Sequence, residues 1–129
     1  MERSRPQAFP KSLRLRRRGE FTRVQSRGRR IHTPHFLIIL LPRPDEGQKL
    51  GITVTKKVGT AVQRNRVKRL VREVFRRHRE RLPSGANYVV IAKRGAPGLT
   101  YDEARTELLR VERTVRAALR RARKEAAEP

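Results

Sequence analysis

A short segment of the chain, residues 59–73 with the sequence GTAVQRNRVKRLVRE, carries side chains suited to binding phosphate. Five of the six positions 64–69 are basic or amide-bearing, and only Val67 interrupts them. Guanidinium groups pair bidentately with phosphate oxygens, and the free N–H groups at a helix start also favour an anion. Flanked by two arginines, Asn65 could cap the helix or read a base edge or a ribose hydroxyl. The segment therefore favours nucleic acid as its partner.

The overall composition narrows the class of partner. Over 129 residues, lysine and arginine number 34 against 12 acidic residues, so the formal net charge is +22. Self-repulsion of this size opposes a compact fold unless a polyanion neutralises it. Nucleic acid, an anionic membrane surface and an acidic protein all fit a strongly basic chain. Arginine outnumbers lysine, and its planar guanidinium pairs with phosphate and stacks on bases, which favours nucleic acid.

The basic segment is predicted to lie on an amphipathic helix that continues to Leu82. Apolar side chains recur at intervals of three and four residues, which is the period of a helix with one buried face. They are Val67, Leu70, Val71, Val74, Phe75 and Leu82. Burial at about 2 kcal/mol per large side chain stabilises the helix against the repulsion between its arginines.

Cationic side chains gather along one flank of this apolar stripe. At 100° per residue the flank holds one amide and five cations, namely Asn65, Lys68, Arg69, Arg72, Arg76 and Arg79. Only Glu73 and Glu80 supply opposite charge on the helix, too few for a lattice of salt bridges within it. The alternative is a solvated charged face, but such faces usually mix the two signs. The pattern predicts a phosphate-binding flank.

Three strands are predicted from apolar and alternating patterns, at residues 35–42, 49–57 and 87–94. The turn sequence PDEGQ separates the first two, which are predicted to pair as an antiparallel hairpin. A short helix is expected over about residues 17–27, ending at Gly28.

A final helix is expected from Tyr101 to about Lys124. It begins with a capping box between Thr100 and Glu103, and arginines crowd its last turns, as the helix dipole prefers. Its apolar residues recur at intervals of three and four positions. We therefore interpret it as a structural helix whose opposite, basic face is exposed to solvent.

The chain is predicted to form one RNA-binding α/β domain at residues 13–122, with a disordered tail at 1–12 and a flexible tail at 123–129. It has no cysteine, which excludes disulfides and thiolate metal sites and favours the cytoplasm. The first ten residues have no apolar stretch, so they do not predict a secretory signal. The longest apolar run, residues 36–41, is too short to cross a bilayer.

Residues that could hydrolyse RNA are scarce. The two aspartates, Asp45 and Asp102, fall in a predicted turn and in the first turn of a helix, where each has a structural role. His32 and His35 have no third ligand nearby, and His78 lies on the basic helix. We therefore predict no catalytic residue and no metal site in the protein, and expect any chemistry to belong to its partner.

The basic segment and its flanking residues resemble a known protein family. The run KKVGTAVQRNRVKR at residues 56–69, followed by Arg72 and Glu73, resembles the signature of the bacterial ribonuclease P protein component. Matches to that family's first helix and later strand lie at residues 14–16, 20–21, 28 and 88–92. The resemblance spans roughly residues 13–120 in the family's order.

The resemblance implies an α+β fold. It is a small α/β sandwich in which three helices pack on a mixed sheet, like a domain of a small-subunit ribosomal protein. A left-handed βαβ crossover leads into the basic helix. The handedness comes from the resemblance alone, because the general rule favours right-handed crossovers.

The resemblance also implies the function. The catalyst is an RNA subunit that binds Mg²⁺, while the protein, without a cofactor of its own, assists removal of the 5′ leader from precursor tRNA. Its partners are the catalytic RNA and precursor tRNA, with no membrane and no obligate protein partner. The implied contacts with the catalytic RNA are Arg64, Asn65, Arg66, Lys68, Arg69 and Arg72. The implied leader-binding cleft contains Phe21, Phe36, Lys56, Arg14 and Arg16.

Two positions depart from the family pattern. Gln25 and Ile39 stand where the family often has aromatic residues in the cleft, so base stacking is expected to be reduced. Phe21 and Phe36 could then be ordinary core residues, because isolated aromatics in apolar patterns usually pack inside. The rival function is a stand-alone RNA-binding or ribosomal protein with no part in an enzyme.

Overall fold

Four strands and four α-helices make up most of residues 11–127, the part of the chain that the computed structural model describes. In chain order they are α1 (Arg18–Arg27), β1 (Arg29–His32), β2 (Phe36–Pro42), β3 (Gln48–Thr53), α2 (Ala61–Arg77), β4 (Ala86–Ala92), α3 (Tyr101–Arg110) and α4 (Glu112–Ala127). Short 3₁₀ helices lie at Lys11–Leu13, Arg79–Arg81 and Ala96–Gly98. Most of the predicted N-terminal tail lies outside the described residues.

The four strands form one mixed sheet in the order β1-β2-β4-β3. Strand β4 pairs antiparallel with β2 and parallel with β3, so the prediction that β2 and β3 form a hairpin is wrong. Both faces of β4 are apolar, with Tyr88, Val89 and Val90 fully buried, and such a strand is most stable between two neighbours. Strand β3 carries Gly51 and polar side chains, and β4 lies between it and β2.

Strand β1 is an element that the sequence pattern did not predict. Its sequence is RRIH, and only Ile31 among these residues is buried, opposite Ile38 of β2. The predicted end of α1 at Gly28 is confirmed, since the Gly28 N–H donates to the Val24 carbonyl at 2.7 Å. A Cβ at Gly28 would lie 2.5 Å from a methyl group of Ile39, so this close approach of α1 to β2 requires glycine.

The sheet has two apolar faces of unequal size. Helix α1 covers the smaller face, whose buried residues are Leu15, Val24, Leu37, Ile39 and Val89. Helices α2, α3 and α4 cover the larger face. Side chains alternate along β2, so Phe36, Ile38 and Leu40 point to the larger face. The predicted α+β class, with helices packed on a mixed sheet, is confirmed.

Helix α2 is the crossover between the parallel strands β3 and β4. Its predicted apolar stripe is confirmed, with Val67, Val71, Val74 and Phe75 buried. The helix ends at Arg77 rather than at Leu82, because His78 leaves the helical conformation and a 3₁₀ turn follows. The crossover therefore holds the basic segment against the half of the sheet formed by β3 and β4.

The predicted C-terminal helix is two helices. Its capping box is confirmed, since the Thr100 hydroxyl accepts from the Glu103 N–H at 3.1 Å and the Glu103 carboxylate accepts from the Thr100 N–H at 2.9 Å. The prediction of a single helix is wrong, because the helical conformation is interrupted at Val111. The break lets α3 pack on α2 while α4 packs on β1 and β2. Helix α4 extends to Ala127, within the segment predicted as a tail.

Candidate nucleic-acid interface

The basic segment lies in the first turns of α2, where a capping box closes the helix end. Thr60 is the N-cap, and its hydroxyl accepts a hydrogen bond from the Gln63 N–H at 3.2 Å. The Gln63 side chain accepts one from the Thr60 N–H at 2.9 Å. Asn65 lies in the second turn and is exposed, so the interpretation of Asn65 as a helix cap is wrong. Its amide is available to hydrogen-bond a base edge or a ribose.

The predicted RNA-binding residues are divided between two sides of α2. On one side, Arg72 lines a cavity together with residues of strand β3, and two cations precede it at intervals of four residues on the same side of the helix. We call it the β3 side; it consists of Arg64, Lys68 and Arg72. The other faces α3, and we call it the α3 side; it consists of Arg66, Glu73 and Arg77. Two further residues of the predicted set are exposed between the sides, Asn65 and Arg69.

Arg66 on the α3 side is held by backbone carbonyls. Its two terminal nitrogens donate to the Pro97 oxygen at 2.7 Å and to the Leu99 oxygen at 2.8 Å. The planar guanidinium thus ties α2 to the loop between β4 and α3. Arg66 has a structural role in addition to its predicted role in RNA binding.

Glu73 neutralises part of the charge on the same side. Its carboxylate accepts hydrogen bonds from Arg76 at 2.6 and 2.9 Å and from Arg77 at 2.7 Å. The hydrogen bond from Arg76 lowers the pKa of Glu73; burial opposes this and Arg77 reinforces it. Arg77 also lies over the ring of Tyr101, 5.1 Å from its centroid, in a cation–π contact.

On the β3 side, Arg72 meets Arg14 from the predicted leader cleft. Burial lowers the pKa of Arg72, and the positive charge of Arg14 lowers it further. The Arg14 backbone bridges Leu50 of β3, while its side-chain Nε is buried without a hydrogen-bond partner in the described part of the chain. Both arginines line a cavity of about 60 Å³ that contains no acidic side chain. The predicted RNA-binding flank and the predicted cleft therefore meet at these two residues.

Phe21 lines the same cavity and is half-buried on α1. Its ring lies against Gly51 of β3, where a Cβ would come within 2.5 Å of a ring carbon. Glycine at this position therefore gives the ring its place beside the strand. The cavity combines one aromatic ring with two guanidinium groups, a set that suits a nucleotide.

Phe36 does not join this cavity. It is fully buried on the larger face of the sheet, opposite to the face that α1 covers, because side chains alternate along β2. Its assignment to the cleft is corrected here, and Phe36 is a core residue. Ile39 does face α1 but is fully buried as well, while Gln25 is half-buried.

The remaining predicted cleft residues are exposed cations that do not line this cavity. Arg16 precedes α1, and its backbone N–H donates to the Glu20 carboxylate at 3.1 Å. Lys56 lies in the turn after β3. Sequence periodicity could not have revealed that Arg14 and Arg72 adjoin, because the contact depends on where the chain before α1 meets β3.

Acidic and histidine side chains in the described residues mostly have structural partners. Asp45 accepts hydrogen bonds from Arg43 and from the Gly47 N–H in the turn before β3, and His35 lies 2.7 Å from the Glu107 carboxylate. Within residues 11–127 no three His, Cys, Asp or Glu side chains are grouped so that they could hold a metal ion. Over the same residues, no helix is both long and apolar enough to cross a membrane.

Comparison with known proteins gives a consistent result. The family profile described as Ribonuclease P matches residues 9–116. The ribonuclease P protein component of Desulfovibrio desulfuricans is 51% identical over 105 residues, covering 78% of this chain and 81% of that protein. The corresponding component of Geotalea uraniireducens is 46% identical over 104 residues, covering 81% and 91%.

Solved structures agree with the sequence relatives. The RNase P protein of Staphylococcus aureus superposes with a TM-score of 0.74 at 28% identity, covering 84% of this chain and 99% of that one. The RNase P protein from Thermotoga maritima gives a TM-score of 0.73 at 30% identity, covering 79% and 96%. Sequence, fold and the basic helix together lead to one conclusion: the chain belongs to the ribonuclease P protein family.

Proposed function

We propose that this chain is the protein subunit of a ribonuclease P that removes the 5′ leader of precursor tRNA. In this proposal α2 binds the catalytic RNA, the cavity beside α1 binds the leader, and the two contacts meet at Arg72 and Arg14. The observation that carries the proposal is this continuous cationic surface, which has an aromatic ring at one end and no acidic side chain in its cavity.

The β3 side of α2 supplies the larger RNA contact. Its three cations are spaced by one helical turn, so they form a row about 12 Å long at 1.5 Å per residue. Phosphates placed along this row would relieve the repulsion between the cations and release counterions. Asn65 and Arg69 extend the row to the outward surface of the helix.

The leader contact rests on three side chains. Arg14 has a buried Nε without a partner within residues 11–127, and Arg72 is partly desolvated beside it. A phosphate between the two guanidinium groups would satisfy the free donor and neutralise both charges. The ring of Phe21 would then stack on the adjoining base.

Catalysis is assigned to the RNA partner in this proposal. The carboxylates Glu73, Glu107 and Glu112 already accept hydrogen bonds from arginine, threonine or histidine, so they are poorly suited to hold Mg²⁺. We propose that Mg²⁺ is bound by the RNA and that the protein positions the two RNAs. Because the reaction matures tRNA, we also propose a cytoplasmic location.

Reconstitution with the cognate catalytic RNA tests the proposal. Precursor tRNA should be cleaved at low Mg²⁺ only when protein and RNA are both present, and protein freed of RNA should cleave nothing. A protein that binds RNA but never stimulates cleavage would instead be a stand-alone RNA-binding protein.

Titrations of the assembled enzyme test the leader contact. A stacked base contributes roughly 1 to 3 kcal/mol, so Phe21→Ala should weaken binding of precursor tRNA by about 10- to 100-fold. Affinity for mature tRNA, which lacks the leader, should stay unchanged. Equal losses for both tRNAs would make Phe21 a packing residue and remove the support for this contact.

A further inference from the structure

A groove of about 550 Å³ lies between α2 and α3, on the side of α2 that faces away from the leader cavity. It is lined by Arg66, Arg69, Leu70, Glu73, Arg77 and Tyr101. The function proposed above uses Arg66 and Arg69 as general RNA contacts but leaves the groove itself unexplained.

The groove combines an apolar floor with a cationic rim. Leu70 and Tyr101 are half-buried and form the floor. Arg66 is fixed by the loop carbonyls of Pro97 and Leu99, so its guanidinium is held in place before any ligand binds. The single acid, Glu73, already accepts hydrogen bonds from Arg76 and Arg77. The lining therefore keeps a net positive charge.

Tyr101 adds an unmet hydrogen-bonding group. Its hydroxyl is buried and has no partner in the described part of the chain. A buried polar group without a partner costs about 1 to 3 kcal/mol, and a ligand that supplied a donor or an acceptor would recover this cost. The exposed Arg77 side chain covers one face of the ring, so a ligand that stacked on this face would displace it.

We propose that this groove binds one unpaired nucleotide of the catalytic RNA, with the base against Leu70 and Tyr101 and a phosphate at Arg69. The proposal rests on the RNA-binding role given to α2 above. A nucleotide is the ligand class that fits, because it joins a flat ring, ring hydrogen-bonding atoms and an anionic phosphate. Unpaired bases are commonly recognised by aromatic rings and by the planes of guanidinium groups.

The position of the groove supports this occupant. Arg69 lines the groove and is also exposed on the outward surface of α2, one turn after Asn65. An RNA strand that follows these two residues passes the mouth of the groove, so a single unstacked base can enter it. Acidic peptides lack the flat ring, and their capture would contradict the proposal.

The two tyrosines of the chain provide a matched pair of variants. Tyr101→Phe removes the hydroxyl that has no partner, so the thermal stability of the protein should not fall. Tyr88→Phe removes a hydroxyl that donates to the Pro83 carbonyl at 2.7 Å in the core, so it should lower stability without touching the groove. Loss of one hydrogen bond predicts that Tyr101→Phe weakens nucleotide binding by about 3- to 10-fold, while Tyr88→Phe leaves it unchanged.

The probes are adenosine 5′-monophosphate, uridine 5′-monophosphate and an unstructured RNA pentanucleotide. Each is titrated into the full-length protein, and binding is monitored by NMR. We expect the Leu70 methyl and Tyr101 ring signals to shift with a saturable dependence on nucleotide, and inorganic phosphate alone to shift them less. Shifts confined to Phe21 and its surroundings would overturn the groove proposal. Equal weakening by both tyrosine variants would overturn it as well.

The same groove should appear in the assembled enzyme. One unpaired nucleotide of the catalytic RNA should be protected from base-specific modification by the unaltered protein and less protected with Tyr101→Phe. If the protein binds the catalytic RNA but the variant changes the protection of no nucleotide, the groove proposal fails. The proposed binding of the catalytic RNA by α2 is then retained. If the protein does not bind the catalytic RNA at all, the function of α2 fails, while the mononucleotide titration still tests the groove.

Discussion

Both sides of α2 carry arginines, but in different surroundings. On the α3 side, Arg66 donates to two backbone carbonyls, and Glu73 accepts from neighbouring arginines. On the β3 side, Arg72 is partly buried beside another arginine, in a cavity without an acid. The number of arginines along a helix therefore does not reveal which of them stabilise the fold and which are available to bind a ligand. The packing neighbours of each side chain decide this.

The difference predicts that the β3 side contributes the larger share of RNA affinity and that Arg66 and Glu73 on the α3 side contribute more to stability. On the α3 side, Arg66 and Glu73 already have hydrogen-bond partners within the protein, so their removal should affect folding first. On the β3 side, Arg64 donates to the Gly59 carbonyl at 3.2 Å, but the three cations still repel one another in the free protein and should contribute most when RNA is bound. Four variants test this division, with expected effects that decrease from the first to the last.

The largest effect is expected from the double change Arg64→Ala and Lys68→Ala on the β3 side. Loss of two phosphate contacts should weaken binding to the catalytic RNA on the order of 10²-fold and reduce the slope of log affinity against log salt by about 2. Arg113→Ala with Lys124→Ala removes the same charge from exposed positions of α4 and is the control. Equal losses for the two double variants would mean that net charge alone governs binding.

Arg66→Ala on the α3 side should lower stability instead. It removes two hydrogen bonds to the loop before α3, so we expect a loss of about 1 to 2 kcal/mol, measured by urea denaturation. Arg66→Lys should not restore the loss, because an ammonium group lacks the planar fork that reaches both carbonyls. Arg69→Ala, at an exposed position one turn away, should leave the unfolding midpoint unchanged.

Arg72→Met should lower RNA affinity without lowering the stability of the protein. The change removes a partly buried cation that faces Arg14 and supplies an apolar chain of similar length. We expect RNA affinity to fall by about 10-fold while the melting temperature stays the same or rises. A melting temperature lowered by several degrees would assign Arg72 to the fold and contradict the proposed division.

The smallest effect is expected from Glu73 and concerns how the stability of the protein depends on pH in the acidic range. The pKa of Glu73 is lowered in the folded protein, chiefly by its hydrogen bond from Arg76, from an ordinary value of 4.5. Its contribution to stability is therefore complete above pH 4.5 and is lost as the pH falls through the lowered pKa. Glu73→Gln should reduce stability at neutral pH and flatten this acid-dependent decrease, measured by thermal unfolding at a series of pH values.

Sequence reasoning succeeded where periodicity determines the outcome. The spacing of Val67, Val71 and Val74 identified the buried stripe of α2, and the Thr100 capping box identified the start of α3. Periodicity gives the face of a side chain but not the neighbour on that face. For this reason the predicted hairpin of β2 and β3 was wrong, and Phe36 was assigned to the cleft although it points to the opposite face of the sheet.

The candidate site illustrates the same limit. The sequence identified the cations of α2 through their density and through the family resemblance. It could not divide them between two sides, because the partners of Arg66 are carbonyls more than 30 positions away along the chain. Arg14 and Arg72 are still farther apart in sequence and adjoin only because the segment before α1 bridges β3. Contacts of this kind follow from the topology rather than from any local pattern.

The central position of β4 has a consequence for the order of synthesis. This strand alone links β2 to β3, yet it follows α2 along the chain. A nascent chain that ends before residue 86 already contains every cation of the basic helix but lacks the strand on which both halves of the sheet depend. Contacts distant in sequence form late, and domains complete their folding as the chain emerges from the ribosome. We therefore expect productive assembly with RNA to require translation of β4.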